Sequence, residues 1–110
     1  MIKIAIIIGK DGLFRSCKAE GHALMAKKGQ DIVCAAVSVL MRSCLMALDK
    51  EPGIQAEHYI TDGELWLDIS AVKDGAKEFL RGVGSMLIDG LQSVSQEYPD
   101  NCSLEIFEEN

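Results

Sequence analysis

What the chain lacks narrows its function first. Lysine and arginine number 11 against 17 acidic residues, for a net charge of −6. The longest basic run is the pair Lys27–Lys28. A protein that grips nucleic acid through its phosphates needs a basic face, so no direct nucleic-acid partner is expected. The cysteines, Cys17, Cys34, Cys44 and Cys102, form no C-x-x-C pair, so their spacing offers no zinc site and no metal is expected. Gly82-Val83-Gly84 lies inside a helical pattern without the preceding strand that a dinucleotide loop needs. The apolar opening Ile2–Ile8 runs into Gly9-Lys10-Asp11-Gly12, a turn and not a secretory cleavage site. The segment Ile32 to Leu48 comes closest to a membrane span, but it carries Arg42 and several Ser and Cys residues, so no span is expected. These absences predict a cytoplasmic protein with reduced thiols.

What remains is an apolar, compact sequence. Its 110 residues suit one domain spanning 1–110, and 48% of them are apolar, enough for a core without disulfide staples. Ile2, Ile4, Ile6 and Ile8 alternate, which is a strand signal. The turn Gly9 to Gly12 leads to a second strand, Leu13 to Glu20. Gly21 to Gln30 has no clean period and reads as a loop. Asp31, a good N-cap, opens a helix to about Asp49 that is apolar nearly all round and so is expected to be buried on most sides. Ala56–Ile60 and Glu64–Ile69 read as strands joined by Thr61-Asp62-Gly63. Lys73 to Glu97 reads as an amphipathic helix, whose Gly82, Gly84 and Gly90 either weaken it or permit close packing. A last strand over Cys102, Leu104 and Ile106 precedes a solvated acidic tail, Glu105 to Asn110. The order β-β-α-β-β-α-β predicts a mixed α+β fold, with a largely antiparallel sheet and two helices.

On a helical wheel Asp31, Cys34, Ser38, Arg42 and Asp49 share one stripe of the first helix, and the other stripes are apolar. Such a stripe faces water, a partner or a cleft, because unpaired buried polar groups are costly. Cys34 is the cysteine on it. Placed in the first turn, its thiolate would be favoured by the free amides and the helix dipole. His22 starts the loop that returns to the helix, so its approach to Cys34 is geometrically easy. A thiol with an adjacent imidazole is the minimum set for covalent acyl transfer. Gly21 and Gly29 flank the loop and let its backbone take unusual conformations or move as a flap. Amides near Gly29 to Val33 are candidate oxyanion donors. Asp31 serves as N-cap or as the group that orients His22. Ser38 bonds the thiolate or a backbone carbonyl one turn back.

Gly21-His22-Ala23 and Asp31-Ile32-Val33-Cys34-Ala35-Ala36-Val37-Ser38, separated by seven residues that include Gly29, resemble the ribosomal-processing cysteine protease family, Prp. The resemblance extends over the whole chain in length and element order. It implies that Cys34 is the nucleophile and His22 its base, with Asp31 and Ser38 in supporting roles. It also implies an α/β fold, a homodimer, and removal of a short N-terminal extension from a bacterial large-subunit ribosomal protein. No cofactor is implied. Two other readings of the same residues stay open. One is a non-enzymatic, ribosome-associated module that holds a peptide. The other is a thiol sensor in which Cys34 is oxidised and Cys17 resolves it.

Overall fold

In the computed structural model, residues 1–21, 28–61 and 63–109 are described, with the backbone alone over 28–31. Five strands, β1 (Ile2–Ile8), β2 (Phe14–Glu20), β3 (Ile54–Thr61), β4 (Glu64–Val72) and β5 (Cys102–Glu108), form one sheet in the order β3-β4-β2-β1-β5. All pairings are antiparallel except β1 with β5. The two helices, α1 (Lys28–Asp49) and α2 (Lys77–Glu97), connect β2 to β3 and β4 to β5. Each therefore links strands that run the same way, as parallel strands require a crossover. The mixed α+β fold expected from the element order is the one observed.

One face of the sheet carries the core. The alternating residues Ile2, Ile4 and Ile6 of β1, Cys17 and Ala19 of β2, and Leu65, Leu67 and Ile69 of β4 are all buried. Their register partners match, with Ile4 opposite Ala19 and Cys17 opposite Leu67. Val33, Val37, Met41, Cys44 and Leu48 of α1 and Leu80, Leu87 and Leu91 of α2 close over them. At roughly 25 cal/mol per Å², each buried Val, Leu, Ile or Met among them contributes about 1.5–3 kcal/mol of transfer free energy.

The glycines of α2 divide by environment. A Cβ on Gly84 would lie 2.6 Å from the Phe14 Cβ, and one on Gly90 would lie 2.8 Å from a Leu40 methyl. Those two allow α2 to approach β2 and α1 closely. Gly82 has nothing within 4 Å of where its Cβ would be, so there the missing side chain only weakens the helix.

Several sequence expectations need correction. The first helix begins at Lys28, so Lys28, Gly29 and Gln30 belong to it and not to the loop. It is also buried on one side only: Ile32, Val39 and Met46, spaced by seven, are exposed. An all-round apolar pattern cannot say which stripe meets the sheet. By length and composition Ile32–Asp49, with a mean hydropathy of 1.8, is apolar enough to cross a membrane; Arg42 and the Ser and Cys residues do not lower it enough to exclude that. Lys73 precedes a short 3-10 turn (Asp74–Ala76), and α2 starts only at Lys77. Glu105 to Glu108, read as tail, complete β5 along the parallel edge of β1.

Candidate active site

The site is built where β2 ends, β3 ends and α1 begins. Because β2 and β3 run the same way and α1 runs back between them, these strand ends and the start of α1 lie at one end of the sheet. Gly21 closes β2 there. Its amide donates to the Gly63 carbonyl at 3.1 Å, tying it to the β3–β4 connection. Its φ of +86° is in the left-handed region, and a Cβ would lie 2.8 Å from the Met1 carbonyl oxygen. Glycine is required at this position on both counts. The positive φ expected for Gly21 is thus present. Gly29, expected to serve the same purpose, is helical instead.

His22 lies outside the described residues, as does the loop through Lys27. The side chain of Asp31 also lies outside them. Its backbone is helical and is the fourth residue of α1, so Asp31 is not the N-cap. The shift moves Cys34 from the first turn to the end of the second. In a helix starting at Lys28 the amides of residues 28–30 have no intrahelical acceptor, whereas those from Asp31 onward are used within the helix. The oxyanion donors expected from Gly29 to Val33 contract to Gly29 and Gln30. The helix dipole acts mainly within the first turn, so it stabilises a Cys34 thiolate less than the sequence suggested.

The cysteines separate sharply by environment. Cys17, Cys44 and Cys102 are 0%, 5% and 2% exposed, whereas Cys34 is half-buried. Burial pushes the Cys17 thiol up to about 12, with a further contribution from nearby Cys44. Burial likewise pushes Cys44 up to about 12 and raises Cys102. Cys17 packs against Met41, its Sγ 4.0 Å from the Met41 sulfur. Met41 is about 10 Å along the helix axis from Cys34, and Cys17 itself is sealed in the core. Cys34 and Ser38 are both half-buried on the flank of α1 that continues to exposed Arg42. The polar stripe expected on the first helix is therefore graded from half-buried to open.

Two features beside the site have no signature in the sequence. On the open face of the sheet, Lys18 Nζ lies 3.0 Å from a Glu64 oxygen, and Tyr59 donates its hydroxyl proton to the same carboxylate. The Tyr59 and Lys18 hydrogen bonds hold the Glu64 carboxyl below its ordinary value. Tyr59 also stacks on Trp66, with ring centroids 5.2 Å apart. On the other face Met41, Arg42 and Leu45 of α1 and His58, Ile60 and Leu65 of the hairpin line a shallow groove. Both features depend on strand register, with Tyr59 opposite Trp66 and Ile60 opposite Leu65. Linear spacing does not reveal register.

Residues 1–103 match the family model described as Cysteine protease Prp. The chain belongs to that cysteine protease family. The ribosomal processing cysteine protease Prp of Mycoplasma pneumoniae is 39% identical over 87 residues, covering 79% of this chain and 82% of that relative. Among solved structures, SMU.848 from Streptococcus mutans superposes with a TM-score of 0.83 at 26% identity, over 99% of this chain and 96% of that one. The essential ribosomal processing protease Prp from S. aureus, in complex with a substrate peptide, gives a TM-score of 0.81 at 21% identity, over 96% and 99%. At that identity the second structure speaks for the Prp fold, which this chain shares.

Proposed function

We propose that this Prp family member is an endopeptidase using Cys34 as nucleophile and His22 as general base, and that it removes the N-terminal extension of a bacterial large-subunit ribosomal protein. The observation that carries the reading is the contrast among the cysteines. Three are sealed in the core with raised thiol pKa values, and Cys34 is half-buried on the flank of α1. The names of the Mycoplasma pneumoniae relative and of the S. aureus structure with its substrate peptide support the substrate class.

His22 takes the thiol proton and the Cys34 sulfur attacks the scissile carbonyl. The tetrahedral oxyanion is met by amides of the first turn of α1. The C–N bond breaks as the imidazolium gives its proton to the leaving amine, and the N-terminal fragment remains as a thioester. His22 then takes a proton from water, the hydroxide attacks the thioester carbonyl, and Cys34 leaves as thiolate. Because Cys34 lies beyond the first turn, the imidazolium supplies most of the thiolate stabilisation. Gly21, pinned to Gly63, sets the point from which His22 departs. Asp31 orients the imidazole and Ser38 supports the sulfur from one turn below. The enzyme acts as a cytoplasmic homodimer without a cofactor.

The test is a peptide spanning the extension junction, followed by mass spectrometry with the unaltered chain and with Cys34→Ala. A single cut made by the unaltered chain alone is expected. Equal cutting by Cys34→Ala would refute the assignment of the nucleophile. Binding without cutting by both would instead favour a peptide-holding module.

A further inference from the structure

We propose that a second binding site lies at the far end of the sheet, in a cleft between β2 and β4, and takes the carboxyl end of a short free peptide. Two β-bulges open the cleft. Ile7 pairs with Ser16 and Ile8 with Phe14, so Arg15 is an extra residue in β2. Gln55 pairs with Ala71 and Ala56 with Ile69, so Ser70 is an extra residue in β4. The Ser70 hydroxyl donates to the Gln55 carbonyl at 3.0 Å, which holds the second bulge in place. A bulge bends its strand and adds local twist. The pairing of β2 with β4 runs from Glu20 and Glu64 to Ser16 and Asp68 and stops there, where the bulges begin. Beyond that point the backbone N–H and C=O groups of residues 69–72 that face β2 have no strand to pair with. That free edge is about 13 Å of extended chain. Ser70 and Ala71 are exposed, so a ligand reaches the edge without disturbing the core.

The cleft has a volume of about 340 Å³, near the lower bound for pockets that hold small ligands. A space of that size admits a chain end and excludes a folded partner. Its floor is apolar, with Leu13, Phe14, Ile69 and Leu80 all buried. The charged side chains on its rim are Lys10, Asp11, Arg15 and Glu109. Asp11 is engaged, since one of its oxygens accepts the Leu13 amide at 3.1 Å. Arg15 is held loosely, with Asp68 at 3.9 Å. Lys10 has no ion pair among the described residues. Two cations therefore face one uncommitted carboxylate, Glu109, and the balance favours a ligand with a single negative charge. An open strand edge, an apolar floor and two cations complement an extended peptide with an apolar side chain and a terminal carboxylate. The cleft lies about 20 Å along β2 from Gly21. It is separate from the candidate active site, and the proposal does not rest on which residue is the nucleophile.

The test titrates the full, isotope-labelled chain with acetyl-Ala-Ala-Leu bearing a free carboxylate, and with the same peptide ending in an amide. Backbone amide chemical shifts should move within residues 13–15 and 69–72 on adding the carboxylate peptide. The peptide amide should bind about tenfold to a hundredfold more weakly. Arg15→Gln should weaken the carboxylate peptide by a similar factor, with Lys3→Gln unchanged; both positions are exposed, so neither substitution enters the core. No shift in those segments at millimolar peptide, equal binding of the amide, or an unimpaired Arg15→Gln would each overturn the proposal. Shifts confined to residues 33–38 would place the peptide at the candidate active site and overturn it as well. Shifts at 69–72 that depend on protein concentration and not on peptide would overturn it in favour of the carboxyl terminus of a second copy.

Discussion

Alkylation of the native chain should label Cys34 far faster than any other cysteine. The thiolate reacts with iodoacetamide, so the rate scales with its population. Cys17 and Cys44 are each pushed from 9.0 to about 12 by burial. At pH 8 a thiol at about 12 is thiolate in roughly 1 molecule in 10⁴, against about 1 in 10 for the same thiol unfolded. The shift alone slows each of them roughly a thousandfold, and steric exclusion slows them further. The assay is a time course quenched by acid and read by peptide mass spectrometry, beside the chain in denaturant. Native label at Cys34, with the other three sites appearing only on unfolding, is the expected pattern. Native labelling of Cys17 or Cys44 within tenfold of the denatured rate would refute the reasoning.

The same burial makes stability fall in alkali. Folded thiols at about 12 keep protons that unfolded thiols at 9.0 lose, so the stabilisation is full below pH 9 and declines from there to about 12. At pH 10 the loss is about 1.4 kcal/mol per thiol, or about 3 kcal/mol for both. Denaturant midpoints against pH check it, and Cys44→Ala should flatten the slope. In α2, Gly82→Ala should stabilise by about 1 kcal/mol through helix propensity. Gly84→Ala should destabilise by about 1–3 kcal/mol because the new methyl meets Phe14; urea titration of the pair reads both signs. Gly21→Ala should cost about 1–2 kcal/mol for its positive φ and lower kcat by displacing His22. Thermal melts and peptide cleavage together separate those two effects.

Much of the fold was legible because its signals are local. Alternation in β1 and β4 depends on neighbours in sequence, and the observed strands follow it. The start of α1 was not legible. Asp31 has the chemistry of a cap, but a competent cap residue does not exclude an earlier start, and the helix begins three residues before it. That one shift moved Cys34 out of the first turn, where the helix dipole acts most strongly. Cys34 itself stood out by its place on a polar stripe, which the structure renders as a half-buried flank. The edge position of β3 and the groove against α1 arise from strand order, which no linear pattern encodes. Ile32, Val39 and Met46 carry the same chemistry as their buried neighbours, so only packing separates them.

The most direct test of the central claim is to trap the thioester. The chain is mixed with a junction peptide, quenched in acid within one turnover, and weighed intact and after digestion. A mass gain equal to the N-terminal fragment, mapped to Cys34 and absent from His22→Ala and Cys34→Ala, is predicted. An adduct on another residue, or cleavage by Cys34→Ala without any adduct, would contradict it.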